Sequence, residues 1–372
     1  MQIKFRFRFL VWLFSILIVF MNFCGRSWAD EKVKLKQIMV AWQNRRNMAH
    51  TIKCRIKGNV LIPKGIHNAE TPDPKADKRD IPIKDYEHPE NLYLAIDFAN
   101  NRVRKETETE IFDISSAVFK PYRGISIFDG SRIISSSDGD ANAIDAYIVS
   151  PGQYKGGFFG TREYPVLFGL GIVDCDMTDP HDLRKTSSEG DFLVISQAVL
   201  KQHDCIVLRR VKPSDSRIKD EFWVDMNRDG AILRWQRFWG ANLSLSLDID
   251  YQQNSHGWVP RSWTGSEFSF VAKPKQGQNQ LQSTSHMIMS EFIVNLDTSP
   301  QEMQFKLKPG MTVDKTTDDG SFHLYSVQSD GRLVPFGEHN SHGLIIFTII
   351  LFVCAILVSL YLIKRSRKKA SQ

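Results

Sequence analysis

The stretch Thr51-Ile52-Lys53-Cys54-Arg55-Ile56-Lys57-Gly58-Asn59-Val60-Leu61-Ile62 decides the fold. Ile52, Cys54, Ile56, Val60 and Ile62 point one way and Lys53, Arg55, Lys57 and Asn59 the other. A period of two over this length is a long strand with one buried and one wet face. Just upstream, Leu35, Ile38, Met39 and Trp42 recur at helical spacing, so an amphipathic helix ending near Ala49 leads into the strand. Downstream, alternation returns at Leu92, Leu94, Ile96 and Phe98 and turns at Asn100-Asn101. It continues through Val103 and Thr107, with Arg102, Arg104, Glu106 and Glu108 opposite.

Asp-Gly pairs begin at Asp129, Asp138, Asp229, Asp319 and Asp330, several between apolar or β-branched runs, which is a strong hairpin signal. Residues 192–211, 221–239, 243–251, 258–271 and 287–296 read as further strands, with a loop or short helices over 162–184. Pro63, Pro72, Pro74, Pro82 and Pro89 stand among charged residues, so 63–90 reads as a mobile loop. The expected class is mainly β (α+β): an extended, curved antiparallel sheet, a half-barrel, with an N-terminal helix, in one domain over 30–335.

The two ends carry a different message. Lys4, Arg6 and Arg8 precede an apolar run from Phe9 to Met21, and Ser27-Trp28-Ala29 precedes Asp30. That order is a secretory signal over 1–29, cut between Ala29 and Asp30. After a linker at 336–343, residues 344–363 run without a charge, long enough as a helix to cross a hydrocarbon core of roughly 30 Å. Lys364, Arg365, Arg367, Lys368 and Lys369 open the tail over 364–372, and such clusters stay cytoplasmic. The expectation is a single-pass protein of the cytoplasmic membrane, its large domain outside.

The formal charge of +6 shrinks when divided by location. Four basic residues lie in the leader and five in the tail, so 48 − 4 − 5 leaves 39 against 42 acidic residues. A domain near −3 is no nucleic-acid surface. Of five cysteines, Cys24 and Cys354 fall in the terminal segments. Cys54, Cys175 and Cys205 allow at most one disulfide; Cys175 with Cys205 is the preferred pair, although sequence does not fix connectivity. Cys54 reads as a small buried hydrophobe.

Two acidic groups invite a metal reading. Asp225-Met226-Asn227-Arg228-Asp229-Gly230 has the front half of a calcium loop, but its twelfth position is Gln236 and both flanks read as strands, which favours a hairpin turn. Asp174, Asp176, Asp179, His181 and Asp182 surround Cys175 with no established ligand spacing, which favours a solvated loop. Ten scattered histidines form no metalloprotease motif, and no nucleophile elbow, phosphate loop or dinucleotide fingerprint is present. Trp223, Trp235, Trp239, Trp258 and Trp263 line an apolar pocket or, more commonly for such residues, pack a core. Nothing implies a cofactor, and binding is favoured over catalysis.

Five pieces in order carry a family resemblance: the helix and long strand, Ile127-Phe128-Asp129-Gly130-Ser131-Arg132-Ile133, Glu221-Phe222-Trp223-Val224-Asp225, the run from Asp250-Tyr251 to Gly257-Trp258-Val259-Pro260, and Phe305 to Pro309-Gly310. Over most of residues 31–315 the chain resembles the LolA-like exported lipoprotein carriers and their LppX and RseB relatives. The resemblance implies a curved sheet wrapped around helices, with an apolar cavity for acyl chains, and carries over no functional residue. A tether departs from the soluble carriers, since a shuttle must diffuse. Two functions follow as expectations: a tethered binder of a lipid or acylated protein, or an envelope sensor acting through a partner membrane protein.

Overall fold

The alternating stretch forms strand β1, Thr51–Ile62, and everything else is arranged about it. A computed structural model describes residues 30–66, 82–113, 118–138, 145–150, 158–173, 180, 183, 187–211, 215–269, 280–299, 301–317 and 320–336. From β1 a meander runs one way through β2 (Tyr86–Asp97), β3 (Arg102–Asp113), β4 (Val118–Phe128), β5 (Ile133–Asp138) and β6 (Ala146–Val149). A second meander comprises β7 (Phe192–Leu200), β8 (His203–Val211), β9 (Ile218–Asp225), β10 (Ala231–Trp239), β11 (Asn242–Asn254), β12 (Gly257–Ser269) and β13 (Gln280–Val294). Its last strand, β13, pairs with the other side of β1, so the β1–β13 seam joins both halves into one curved open sheet. Gly58 lies on that seam opposite Met287, where an added Cβ would run into the His286 carbonyl oxygen.

The hairpins turn where short polar residues satisfy the backbone locally. Asp129 Oδ1 accepts from the amides of Ser131 and Arg132 at 2.9 and 2.8 Å, closing the β4–β5 turn. Asp229 and Gly230 take positive φ values of 54° and 73° between β9 and β10. The segment after β13 crosses the outer face to reach the far side of the sheet. Its Met303 is buried, and Glu302 accepts from Lys53 Nζ at 2.7 Å and Tyr93 Oη at 2.5 Å. The chain then forms β14 (Thr312–Thr316), β15 (Phe322–Val327) and β16 (Leu333–Pro335), with Val313, Val327, Ala146 and Ile148 burying a small core of their own.

Helix α1, residues 30–48, packs on the inner face. Ile38 and Trp42 are buried there, and Trp42 meets Phe192 edge-on at 5.6 Å. Helix α2, Tyr164–Gly169, brings Tyr164 and Phe168 to within 5.0 and 5.5 Å of Trp235. Packed aromatics thus occupy the space between helices and sheet. Trp235 and Trp263 are core, Trp223 and Trp258 are half-buried, and Trp239 lies at the surface beneath the Arg217 guanidinium.

One charged residue holds this packing together. Arg45 of α1 is 3% exposed, and its guanidinium donates to the carbonyls of Gly169, Arg228, Asp229 and Trp258 at 2.7–2.8 Å. These acceptors end α2 and belong to the β9–β10 and β11–β12 regions. Burial pulls the Arg45 pKa down, but the acceptors are groups that water would otherwise satisfy.

Three expectations need correction. The sheet is not wholly antiparallel: β14 runs parallel to β6, because the crossing segment delivers the chain to β6 in the same direction. The loop read over 63–90 ends earlier, since Tyr86–Glu90 already belongs to β2. Pro89 has no amide to donate and is accommodated opposite Asn59. The three closing strands carry too few alternating residues to have been read. The expected signal, the part of the expected loop at 67–81 and the expected membrane span at 344–363 lie outside the described residues, among which no helix is long and apolar enough to cross a membrane.

Replacing Arg45 with Met removes a buried donor shared by four main-chain carbonyls, for an expected loss of about 3 kcal/mol or more. Arg55, a surface partner of Glu291, serves as control: its Met variant should shift stability by under about 0.5 kcal/mol. Urea midpoints of the two variants decide, and equal shifts would refute the locking role of Arg45.

Candidate binding site

The inner face is filled at the α1 and α2 end and left open beyond it. There β1, β2 and β3 continue past the helices, and β13 flanks them. The continuation forms a cavity of about 360 Å³ with apolar walls from Val60, Ile62, Ile66 and Ile111. His88, Glu90, Thr109, Glu110 and Arg162 supply its polar lining. That volume sits at the lower end of the ~300–1,000 Å³ typical of small-molecule sites, and apolar walls with few polar groups are the usual composition.

The register explains the polar groups. On β2 the inward alternation of Leu92, Leu94 and Ile96 extends back to Glu90 and His88, both nearly inaccessible. Glu90 lies opposite Gly58 and His88 opposite Val60. Facing them, residues 158–163 are pinned across the inner face. Lys105 Nζ donates to the Phe158 carbonyl at 2.5 Å and lies 3.6 Å from Glu163, Gly160 N donates to Glu163 at 2.7 Å, and Thr161 Oγ1 donates to Glu267 at 2.6 Å. This pinning presents Arg162, whose Nε lies 2.8 Å from Glu90 Oε2.

Burial pushes the Glu90 carboxyl up to about 7; Arg162 and Lys105 oppose the shift, while Glu163 and Glu267 reinforce it. His88 is held below the ordinary histidine range, chiefly by burial, with its Nδ1 3.3 Å from the Pro89 carbonyl and 3.2 Å from Thr109 Oγ1. A group that changes charge near neutrality therefore stands at the mouth of an apolar pocket.

A larger groove of about 760 Å³ runs along the β1–β13 seam on the other face, past Lys57, Asn59, His286 and Ile288. It lies on the wet side of the alternation, whereas the inner pocket has apolar walls beside two buried titratable groups, so the inner pocket is the better site.

The structure disperses the residues singled out from sequence. Asp225 is fully buried at the end of β9. One carboxylate oxygen accepts from Asn227 N at 2.9 Å, and the other faces His203 and Arg228 at 3.4 and 3.5 Å. Asp229 turns the chain and gives its carbonyl to Arg45. The half calcium loop is thus a hairpin whose oxygens serve the turn. Cys205 is a buried thiol on β8, raised to about 11 mainly by burial, and its anticipated partner Cys175 falls outside the described residues. Cys175, Asp174, Asp176, His181 and Ala29 lie outside the described residues, while Asp30 pairs with Lys34 in α1 at 2.7 Å. Glu90, His88 and Arg162 were not recognised from sequence; the signal available was the backward extension of the β2 alternation through the proline-rich stretch.

No family model and no curated protein matches the chain. Similar solved structures include a DUF1329 family protein from Desulfovibrio piger, with TM-score 0.40 at 10% identity over 75% of this chain and 96% of that one. An outer membrane lipoprotein-sorting protein domain from Vibrio parahaemolyticus gives TM-score 0.40 at 11% identity over 72% and 95%. The Pseudomonas aeruginosa MucA/MucB complex gives 0.21 at 10% identity over 76% and 73%. These likenesses are faint, and they include the lipoprotein-sorting type that the sequence pattern resembles.

The ordinary carboxyl value of Glu90 is 4.5 and its folded value about 7, so between those pH values the fold retains a proton that the unfolded chain releases. Raising pH through this window weakens the fold, with a slope of at most one proton. Glu90→Gln should flatten this part of the stability–pH curve and leave the variant relatively more stable above pH 7. Urea titrations from pH 4 to 8 test this, and an unchanged slope would refute burial of an ionisable Glu90.

Proposed function

We propose that the protein is a membrane-anchored extracytoplasmic binding protein that takes a lipid, a lipoprotein acyl chain or another apolar ligand. The supporting observation is the inner-face pocket, where Val60, Ile62, Ile66 and Ile111 make apolar walls just beyond the packed aromatic core. Burial of a chain against such walls gains roughly 25 cal/mol per Å² of apolar surface. The signal over 1–29 and the apolar run over 344–363 with its basic tail support placing this domain outside the cytoplasmic membrane, with the C-terminus inside. A domain held at the bilayer surface receives or presents a ligand instead of ferrying it.

A second reading, an interaction module acting through a partner membrane protein, has one observation in its favour. β7 is the outermost strand of its half, contains no charged residue, and leaves Leu193 and Val199 64% and 71% exposed. An uncharged, apolar edge offers its backbone to an extended segment of a partner, whereas edges are ordinarily guarded by charge.

Native mass spectrometry with lipid extraction on the exported protein separates these readings. Co-purifying acyl lipid near one-to-one, lost on Ile111→Asp, is the expected result. A clean apo mass together with no uptake of fluorescent fatty acid would reject the lipid reading. Loss of a co-purifying membrane protein on the double change Leu193→Lys and Val199→Lys would then favour the second.

A further inference from the structure

We propose that the inner-face pocket selects a single-chain amphiphile with a cationic head, held at Glu90 and Glu110, and that binding it expels a proton from Glu90. The inference rests on the ligand-binding reading above and narrows its chemistry. A cavity of about 360 Å³ has room for one slender chain, being equivalent to about a dozen waters at ~30 Å³ each. A diacylated anchor would need more space.

The charges facing Glu90 set the sign of the head. Arg162 and Glu163 face it from the segment before α2, Lys105 from β3 and Glu267 from β12, while Glu110 of β3 and His88 of β2 line the same cavity. His88 stays neutral near pH 7, because burial holds its pKa low. Of the groups that line the cavity, two carboxyls, Glu90 and Glu110, stand against one charged base, Arg162, which is paired with Glu90; Glu110 accepts from Tyr86 Oη. An anion would enter a region carrying excess negative charge, whereas a cation offsets it; with low-dielectric walls the difference is amplified. Burial is what makes Glu90 hold its proton to about 7, against the net pull of its charged neighbours, since Arg162 and Lys105 outweigh Glu163 and Glu267. A bound cation favours the ionised carboxylate, so ligand and proton compete for one group.

The test uses the full-length protein in an amphipol belt and three photoreactive probes with a diazirine at the chain end: decyltrimethylammonium, decyl sulfate and decanol. The first two keep their charge at all working pH values, so any titration belongs to the protein. Half-maximal labelling of the peptides carrying Val60 and Ile111 is read by mass spectrometry at pH 6 and pH 8. The cationic probe should bind about tenfold more weakly at pH 6 than at pH 8, as competition with a proton at about 7 requires. Glu90→Gln should abolish that difference, fixing the concentration near the pH 6 value, while Glu291→Gln on the outer face leaves it intact. Tighter labelling by decyl sulfate, decanol labelling as tightly as the cationic probe, or a pH dependence that survives Glu90→Gln would overturn the cationic assignment alone. No labelling of the pocket by any of the three would instead remove the binding reading on which it rests.

Discussion

The guanidinium of Arg45, bonded to four main-chain carbonyls, is the constraint on which the rest of the structure depends. A sheet curved around helices must fix where the helices sit, and apolar contacts alone allow sliding. Directional bonds from one buried cation do not, because its four carbonyls come from three separate local structures: the end of α2, the β9–β10 turn and the start of β12. Trp42 adds a fifth tie, its Nε1 donating to the Gly230 carbonyl at 2.8 Å. Gly171 takes φ +69° where an added Cβ would strike the Trp42 carbonyl, so the chain after α2 is pressed against α1 at the same place. Packing and polar bonding coincide there, and misplacing one element leaves polar groups buried without partners.

With that end of the inner face locked, the position of the pocket follows. Strands β1 and β2 are each 12 residues long, and α1 and α2 cover only the part nearest the Arg45 lock. The uncovered part cannot be closed by the sheet itself, and residues 158–163 cross it with a band of charged groups that separates the aromatic core from the open cavity. Cavity and lock are two consequences of helices that cover part of a longer sheet.

Much of this was legible in the sequence, because long half-buried strands announce themselves by period. β1 keeps the boundaries read from Thr51 to Ile62, and the turns at Asn100-Asn101, Asp129-Gly130 and Asp229-Gly230 fall between paired strands. What escaped has physical reasons. Arg45 looks like any solvated position on an amphipathic helix, since its partners are carbonyls, which carry no sequence signature. Pro89 marks a loop by composition, yet its missing amide costs nothing where no bond is asked of it. The site could not be read at all, as its walls come from β1, β2, β3 and the segment before α2, brought together only by the register of the sheet. The tryptophan cluster illustrates the opposite case: Trp235 and Trp263 fill the core because their rings bury more surface there than in any pocket wall.

Buried Arg45 and half-buried Arg162 show why one end of the inner face is structure and the other is available for chemistry. Arg45 has its donors spent on neutral acceptors that never change charge, so pH and small ligands have no hold on it. Arg162 is held by one carboxylate, Glu90, and that carboxylate titrates near neutrality at the edge of a cavity. Breaking the first arrangement removes the shared donor of four carbonyls at once, while disturbing the second exchanges one partner for water, a proton or an incoming head group. A polar group becomes a recognition element when its surroundings leave it an alternative, and on the inner face of this sheet that condition is met where the helices stop.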